Sequence, residues 1–212
     1  MRLPAARTLI AITLSLGLSA PLWGAVPGLR LMDPNLDVEL IDTHPDAFFV
    51  SQAMDLSGQL FVGSREALFV YGRTPEGGFT ERREIYRFPK DSWLYDIEVY
   101  GDDLFVLCNT ALYRIPGAVT QHENLKPEKL LWGAPMGHYH QGLHGMELGP
   151  NGDLYLSMGD PQPHMHWDRE RPDHLWHWTF YVGPENTPVL YNGNGAILRY
   201  RLRDHHLSVH SS

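Results

Sequence analysis

The sequence predicts an all-β fold, a β-propeller built of antiparallel four-stranded blades. Three observations lead there. One hairpin pattern occurs three times, it recurs at near-constant spacing, and no long helical periodicity interrupts it. The clearest copy runs His140-Gln-Gly-Leu-His-Gly-Met-Glu-Leu-Gly-Pro-Asn-Gly-Asp-Leu-Tyr-Leu-Ser-Met-Gly-Asp160. Met146, Leu148, Leu154, Leu156 and Met158 point one way when this stretch is extended, because strand side chains alternate with a period of two. Gly149-Pro-Asn-Gly152 joins the two runs, and Asn-Gly between alternating apolar segments is a strong hairpin signal.

In chain order, the first copy is Asp55-Leu-Ser-Gly-Gln-Leu-Phe-Val-Gly-Ser64, followed by a strand at Ala67-Leu-Phe-Val-Tyr-Gly72. A further strand is expected at Phe79-Thr-Glu-Arg-Arg-Glu-Ile-Tyr86. The second copy is Val99-Tyr-Gly-Asp-Asp-Leu-Phe-Val-Leu-Cys108, with strands at Ala111-Leu-Tyr-Arg-Ile-Pro-Gly117 and Lys129-Leu-Leu-Trp132. The third resumes after an insertion at Ala196-Ile-Leu-Arg-Tyr-Arg201. Leu60, Leu104 and Leu154 align at spacings of 44 and 50 residues. One four-stranded unit every ~40–50 residues marks a propeller blade. A β-sandwich with hairpins alike by chance is the alternative, and agreement in both motif and spacing favours the propeller. The expected blades cover about 45–90, 91–135 and 138–212, the last with a loop insertion at 161–194.

Residues 1–25 read as a secretory signal peptide: Arg2 and Arg7, then the apolar run Leu9–Leu18, then small residues. That run is shorter than the ~20 apolar residues of a membrane-spanning helix. Export to the periplasm or outside the cell follows, with no membrane attachment after cleavage. About 190 residues then remain for a partial propeller domain at 30–212, enough for one core. At this spacing they amount to about three blades of a six-bladed array. Tyr200-Arg-Leu-Arg-Asp-His-His-Leu-Ser-Val-His-Ser-Ser212 enters a further turn and strand. The expectation is therefore a truncated fragment, or a homodimer whose copies close the ring, since an open array exposes strand edges.

A formal charge of −8 argues against nucleic acid or anionic lipid as a partner. Cys108 is the single cysteine, so an intramolecular disulfide is excluded, as is covalent haem attachment by a C-x-x-C-H motif. Its place within an apolar strand fits a buried structural thiol rather than a nucleophile.

Histidines cluster around the third copy. His138, His140 and His144 precede or enter its first strand, at the mouth of the central channel where loops converge. Their spacing admits metal binding, but no Cys, Asp or Glu lies suitably beside them, and no metal ligand is assigned. His140 and His144 are the candidate general bases, because histidine titrates near neutrality and can take a hydroxyl proton. The plainer role for each is a backbone hydrogen bond at the turn. Asp160 ends an inner strand and could orient a base or a cation. Trp167, Trp176 and Trp178 in the insertion offer flat surface for a sugar or planar cofactor, or else fill a small core of the loop itself. Asn192-Gly-Asn-Gly195 is a turn without the strand-to-helix context of a phosphate loop.

His-Gln-Gly-Leu-His144 followed by Leu148-Gly-Pro-Asn-Gly-Asp-Leu-Tyr-Leu-Ser-Met-Gly-Asp160 resembles the glucose/sorbosone dehydrogenase propellers. Pro172-Asp-His-Leu-Trp-His-Trp-Thr-Phe-Tyr181 and Tyr191-Asn-Gly-Asn-Gly-Ala-Ile-Leu-Arg-Tyr200 look more like the propeller of large membrane-bound dehydrogenase proteins, often fused to a c-type haem domain. The resemblance spans roughly residues 45–201. It implies a secreted six-bladed enzyme using pyrroloquinoline quinone (PQQ) and calcium, oxidising a hydroxyl or lactol of a small sugar or polyol. It implies a histidine base at His140 or His144 and an electron-accepting cytochrome as partner, and Asp160 and Trp176 are then the candidate cofactor contacts. The family's calcium and quinone ligands come largely from later blades, which these residues do not include. The rival expectations are a non-catalytic propeller binding a glycan or protein, and an inactive truncated product.

Overall fold

The computed structural model describes residues 7–14, 36–44, 49–134, 142–159, 177–192 and 195–211. Every regular element among them is a β-strand. The three blades follow one another along the chain.

The first is β3 (Ser51–Met54), β4 (Leu60–Gly63), β5 (Ala67–Tyr71) and β6 (Arg83–Arg87), paired in that order. The second is β7 (Leu94–Tyr100), β8 (Asp103–Cys108), β9 (Ala111–Ile115) and β10 (Glu128–Trp132). The third is β11 (Leu143–Leu148), β12 (Leu154–Met158), β15 (Ala196–Arg201) and β16 (His206–Ser211). Pairing is antiparallel throughout, and the repeat registers coincide: Met54 faces Leu60, Val99 faces Leu104 and Leu148 faces Leu154. β1 (Arg7–Leu14) pairs with β2 (Leu36–His44) as a separate ribbon. β1 lies within the span expected to be a removable leader.

The cores lie between the blades. Phe61, Leu68, Val70 and Ile85 of the first pack on Leu94, Ile97, Leu104 and Val106 of the second. Phe105, Leu107, Leu112 and Leu131 of the second pack on Leu143, Met146, Leu156 and Tyr200 of the third. Sheets stacked face to face around inner strands, each consecutive with the last, make a propeller. Burying each such large side chain contributes roughly 1.5–3 kcal/mol. Gly63 shows how tight the stacking is. A Cβ there would come within 2.6 Å of the Ser51 hydroxyl and 3.2 Å of both Leu94 and Ile97.

Two expectations change in detail. The strand anticipated at Phe79–Tyr86 begins only at Arg83. Phe79 instead makes an isolated bridge to Arg73, whose guanidinium lies 3.8 Å from the Phe79 ring centre. The insertion is also more than loop. β13 (His177–Val182) and β14 (Thr187–Asn192) form a hairpin that extends the second blade to six strands, rather than folding over the third. Leu131 faces Val182 and Trp132 faces Tyr181, with those two rings stacked at 5.2 Å. The reason is physical: β10 otherwise ends its blade with an open edge, and the inserted hairpin supplies its ladder. Gly133 permits the approach, at φ +93° and with the Thr179 carbonyl oxygen 2.5 Å from where a Cβ would sit.

Candidate functional site at the inner-strand mouth

β7 and β11 are equivalent strands in successive blades. They share the pattern Leu-aromatic-x-apolar-Glu-apolar, Leu94-Tyr-Asp-Ile-Glu-Val99 against Leu143-His-Gly-Met-Glu-Leu148. Each begins with the same irregularity. Pairing jumps from Leu94↔Cys108 to Asp96↔Leu107, and from Leu143↔Met158 to Gly145↔Ser157. Tyr95 and His144 are therefore the extra residues of two matching β-bulges, a device that turns a side chain out of the ladder. Their rings meet at 5.1 Å with a 57° tilt. The His144 Nε2 is buried and has no hydrogen-bond partner among the described residues.

Asp96, at the place of Gly145 in the next blade, reaches across the blade junction. Its Oδ1 accepts the Ile97 N–H at 2.9 Å, and its Oδ2 accepts the Met146 N–H at 2.7 Å. Burial raises the Asp96 carboxyl above the usual range, and these two hydrogen bonds oppose the rise. Glu98 and Glu147 occupy the same position two residues further along their strands. Burial pushes Glu98 up to about 7, and the negative charges of Glu147 and Asp96 add to the shift.

Around the mouth, the Leu143 N–H donates to the Asn109 carbonyl at 3.3 Å, and the Asn109 N–H donates to the Trp93 carbonyl at 3.1 Å. The Arg65 guanidinium lies 4.3 Å from the Trp93 ring centre, a cation–π contact between the first blade and the entry to the second. Asn109 is buried; its Nδ2 donates to the Asp91 carbonyl, and its Oδ1 has no described partner.

Of the four residues singled out from sequence, His144 lies here, in β11. His140, Asp160 and Trp176 fall outside the described residues. Tyr95, Asp96 and Glu98 were missed. Aligning the two inner strands on Leu94 and Leu143 would have found them, since the Glu of each strand and the ring of each bulge then coincide. Cys108 is buried, and burial raises its thiol, as a structural cysteine requires. Among the described residues no three His, Cys, Asp or Glu side chains converge as metal ligands.

No protein-family model and no curated protein matches the sequence. Among solved structures, the PQQ domain of a pyranose dehydrogenase from Coprinopsis cinerea, in its holo form, is similar at 13% identity and a TM-score of 0.48. The match covers 76% of this chain and 47% of that one. Virginiamycin B lyase from Staphylococcus aureus is similar at 12% identity and a TM-score of 0.39, over 78% of this chain and 56% of that one. The chain thus spans about half the length of the solved structures it resembles.

Proposed function

We propose that these blades belong to a quinoprotein-type dehydrogenase propeller that acts after export and oxidises a hydroxyl or lactol group, with His144 as general base. The observation that carries the reading is the His144 imidazole, turned out by a bulge at the inner-strand mouth with its Nε2 unpaired. A buried polar atom without a partner costs about 1–3 kcal/mol, and a catalytic role is one of the explanations for leaving it so. The resemblance of residues 138–201 to sugar dehydrogenase propellers supplies the reaction class.

In this reading Nε2 takes the hydroxyl proton of a sugar or polyol. Tyr95 walls one side of the imidazole, and Asp96 holds the strand that carries it. The carbinol must also lose a hydride, which a bound quinone would accept. No three described His, Cys, Asp or Glu side chains converge as calcium ligands, and the resemblance places the family's calcium and quinone ligands largely in later blades. In this reading the described residues contribute proton transfer and positioning, with a cytochrome as the electron-accepting partner.

The test is turnover of aldoses and polyols by the full gene product with PQQ, calcium and an artificial electron acceptor. Activity that falls by about 10²–10⁴ in His144→Ala, with cofactor still bound, is expected. Absence of turnover despite proven cofactor occupancy would sink the reading. Glycan affinity without any cofactor, unchanged in a His140→Ala, His144→Ala double variant, would move the assignment to a binding module.

A further inference from the structure

We propose that a cavity between the second and third blades, at the opposite end of the inner strands from His144, binds a small organic anion. Its volume is about 470 Å³, within the range of small-molecule sites. Tyr100 ends β7 and Gly152 turns β11 into β12 beside it, so the cavity lies about 15 Å along the strands from Tyr95 and His144. The inference stands independently of any dehydrogenase activity.

Phe105, Leu130 and Leu202 contribute apolar lining, and Arg114, Arg199 and Arg203 contribute the cations. Two of those arginines belong to an ion pair repeated in successive blades. Arg114 binds Asp103 through Nε at 2.7 Å and Nη2 at 2.6 Å; Arg199 binds Asp153 through the same two nitrogens at 2.6 and 2.5 Å. Both pairs sit at matching registers, Asp one residue before the aligned leucine and Arg on the neighbouring strand. The first blade has Gln59 and Val70 in these places and lacks the pair.

The hydrogen-bond inventory selects the ligand class. Asp103 also accepts the Gly117 N–H at 2.9 Å, and Asp153 also accepts the Asn151 Nδ2 at 2.8 Å, so each carboxylate already makes three polar contacts. The guanidinium donors are not used up. Arg199 Nη1 has no partner among the described residues, and Arg203 touches Asp204 only at 3.9 Å. A site whose two carboxylates are each engaged by an arginine, with spare cationic donors on Arg199 and Arg203 over an apolar lining, suits a carboxylate or phosphate on an apolar body.

The lining is held in place from below. The Tyr200 hydroxyl lies 3.2 Å from the Leu130 carbonyl oxygen and 2.7 Å from the His205 Nδ1. The contact with Tyr200 holds the His205 ring at the cavity wall.

The experiment is calorimetric or NMR titration of the intact chain with benzoate, phenyl phosphate and, as the neutral counterpart, benzyl alcohol. Saturable binding of either anion at about 1 mM or below, with no saturation by the alcohol, is expected. The tighter anion identifies the head group. Arg203→Ala, at an exposed position, should weaken binding at least tenfold without changing the melting temperature, and Arg199→Lys should weaken it while keeping a charge on Asp153. Failure of both anions to saturate by about 10 mM, equal binding of the alcohol, or affinity unchanged in both variants would overturn the proposal.

Discussion

Asp96 of one blade accepts the backbone N–H of Met146 in the next at 2.7 Å, so a single carboxylate caps the inner-strand edge of its neighbour. That edge faces the propeller axis, where no further strand completes the ladder, and a buried N–H left there would cost about 1–3 kcal/mol. The latch also places the bulge that carries His144, two residues upstream.

Removing the latch should therefore loosen the junction between the second and third blades. Asp96→Ala is expected to lower unfolding stability by about 2–3 kcal/mol, and Asp96→Asn, which keeps an acceptor, by less. Urea denaturation of the two variants against the wild type checks the order. Equal losses would show that the hydrogen bond to Met146 does not set the cost.

Glu98 makes the junction pH-sensitive. Its folded pKa of about 7 lies above the ordinary glutamate value, so the folded state holds this proton more tightly than the unfolded chain. The stability this gives is fully present below the unfolded pKa and is lost as pH rises through about 7. Discounted for partial exposure, the loss between pH 5 and pH 8 is about 1–2 kcal/mol. Glu98→Gln should remove that slope relative to the wild type in paired melts, and a variant that keeps it would refute the assignment.

The Gly133 approach governs whether the inserted hairpin stays attached. Gly133→Ala forces a Cβ into the Thr179 carbonyl at positive φ and should cost about 2 kcal/mol or more. The loss should be local. Hydrogen exchange is expected to accelerate at Phe180–Val182 while β7–β9 remain protected.

Tyr200→Phe tests the support beneath the cavity. The side chain is fully buried, and its hydroxyl serves both Leu130 and His205. Loss of about 1–2 kcal/mol is expected, because both partners lose a contact while the ring keeps its packing. A neutral substitution, read by thermal unfolding, would show that water replaces the hydroxyl without cost.

Much of this protein was legible in its residues alone. Alternating apolar side chains and the Asn151-Gly152 turn specify the β11–β12 hairpin locally, and the aligned Leu60, Leu104 and Leu154 carry the blade repeat. These signals are short-range: a period of two and a turn type need no knowledge of what packs against them. His144 stands out the same way, together with His140, by its place before a recognisable turn.

Tertiary structure decided what depends on partners distant in sequence. The alternation in Thr179-Phe-Tyr-Val182 marks a strand, but nothing local says that it pairs with Leu131 and Trp132 of the preceding blade. Asp96 looks like any strand-edge carboxylate until the packing of two sheets brings it to Met146, fifty residues away. The Asp103–Arg114 and Asp153–Arg199 pairs likewise come together around one cavity only because their blades stack. Strand formation here follows from side-chain periodicity, whereas the junctions follow from which open edges and buried polar groups must find partners, and that is settled only when the blades meet.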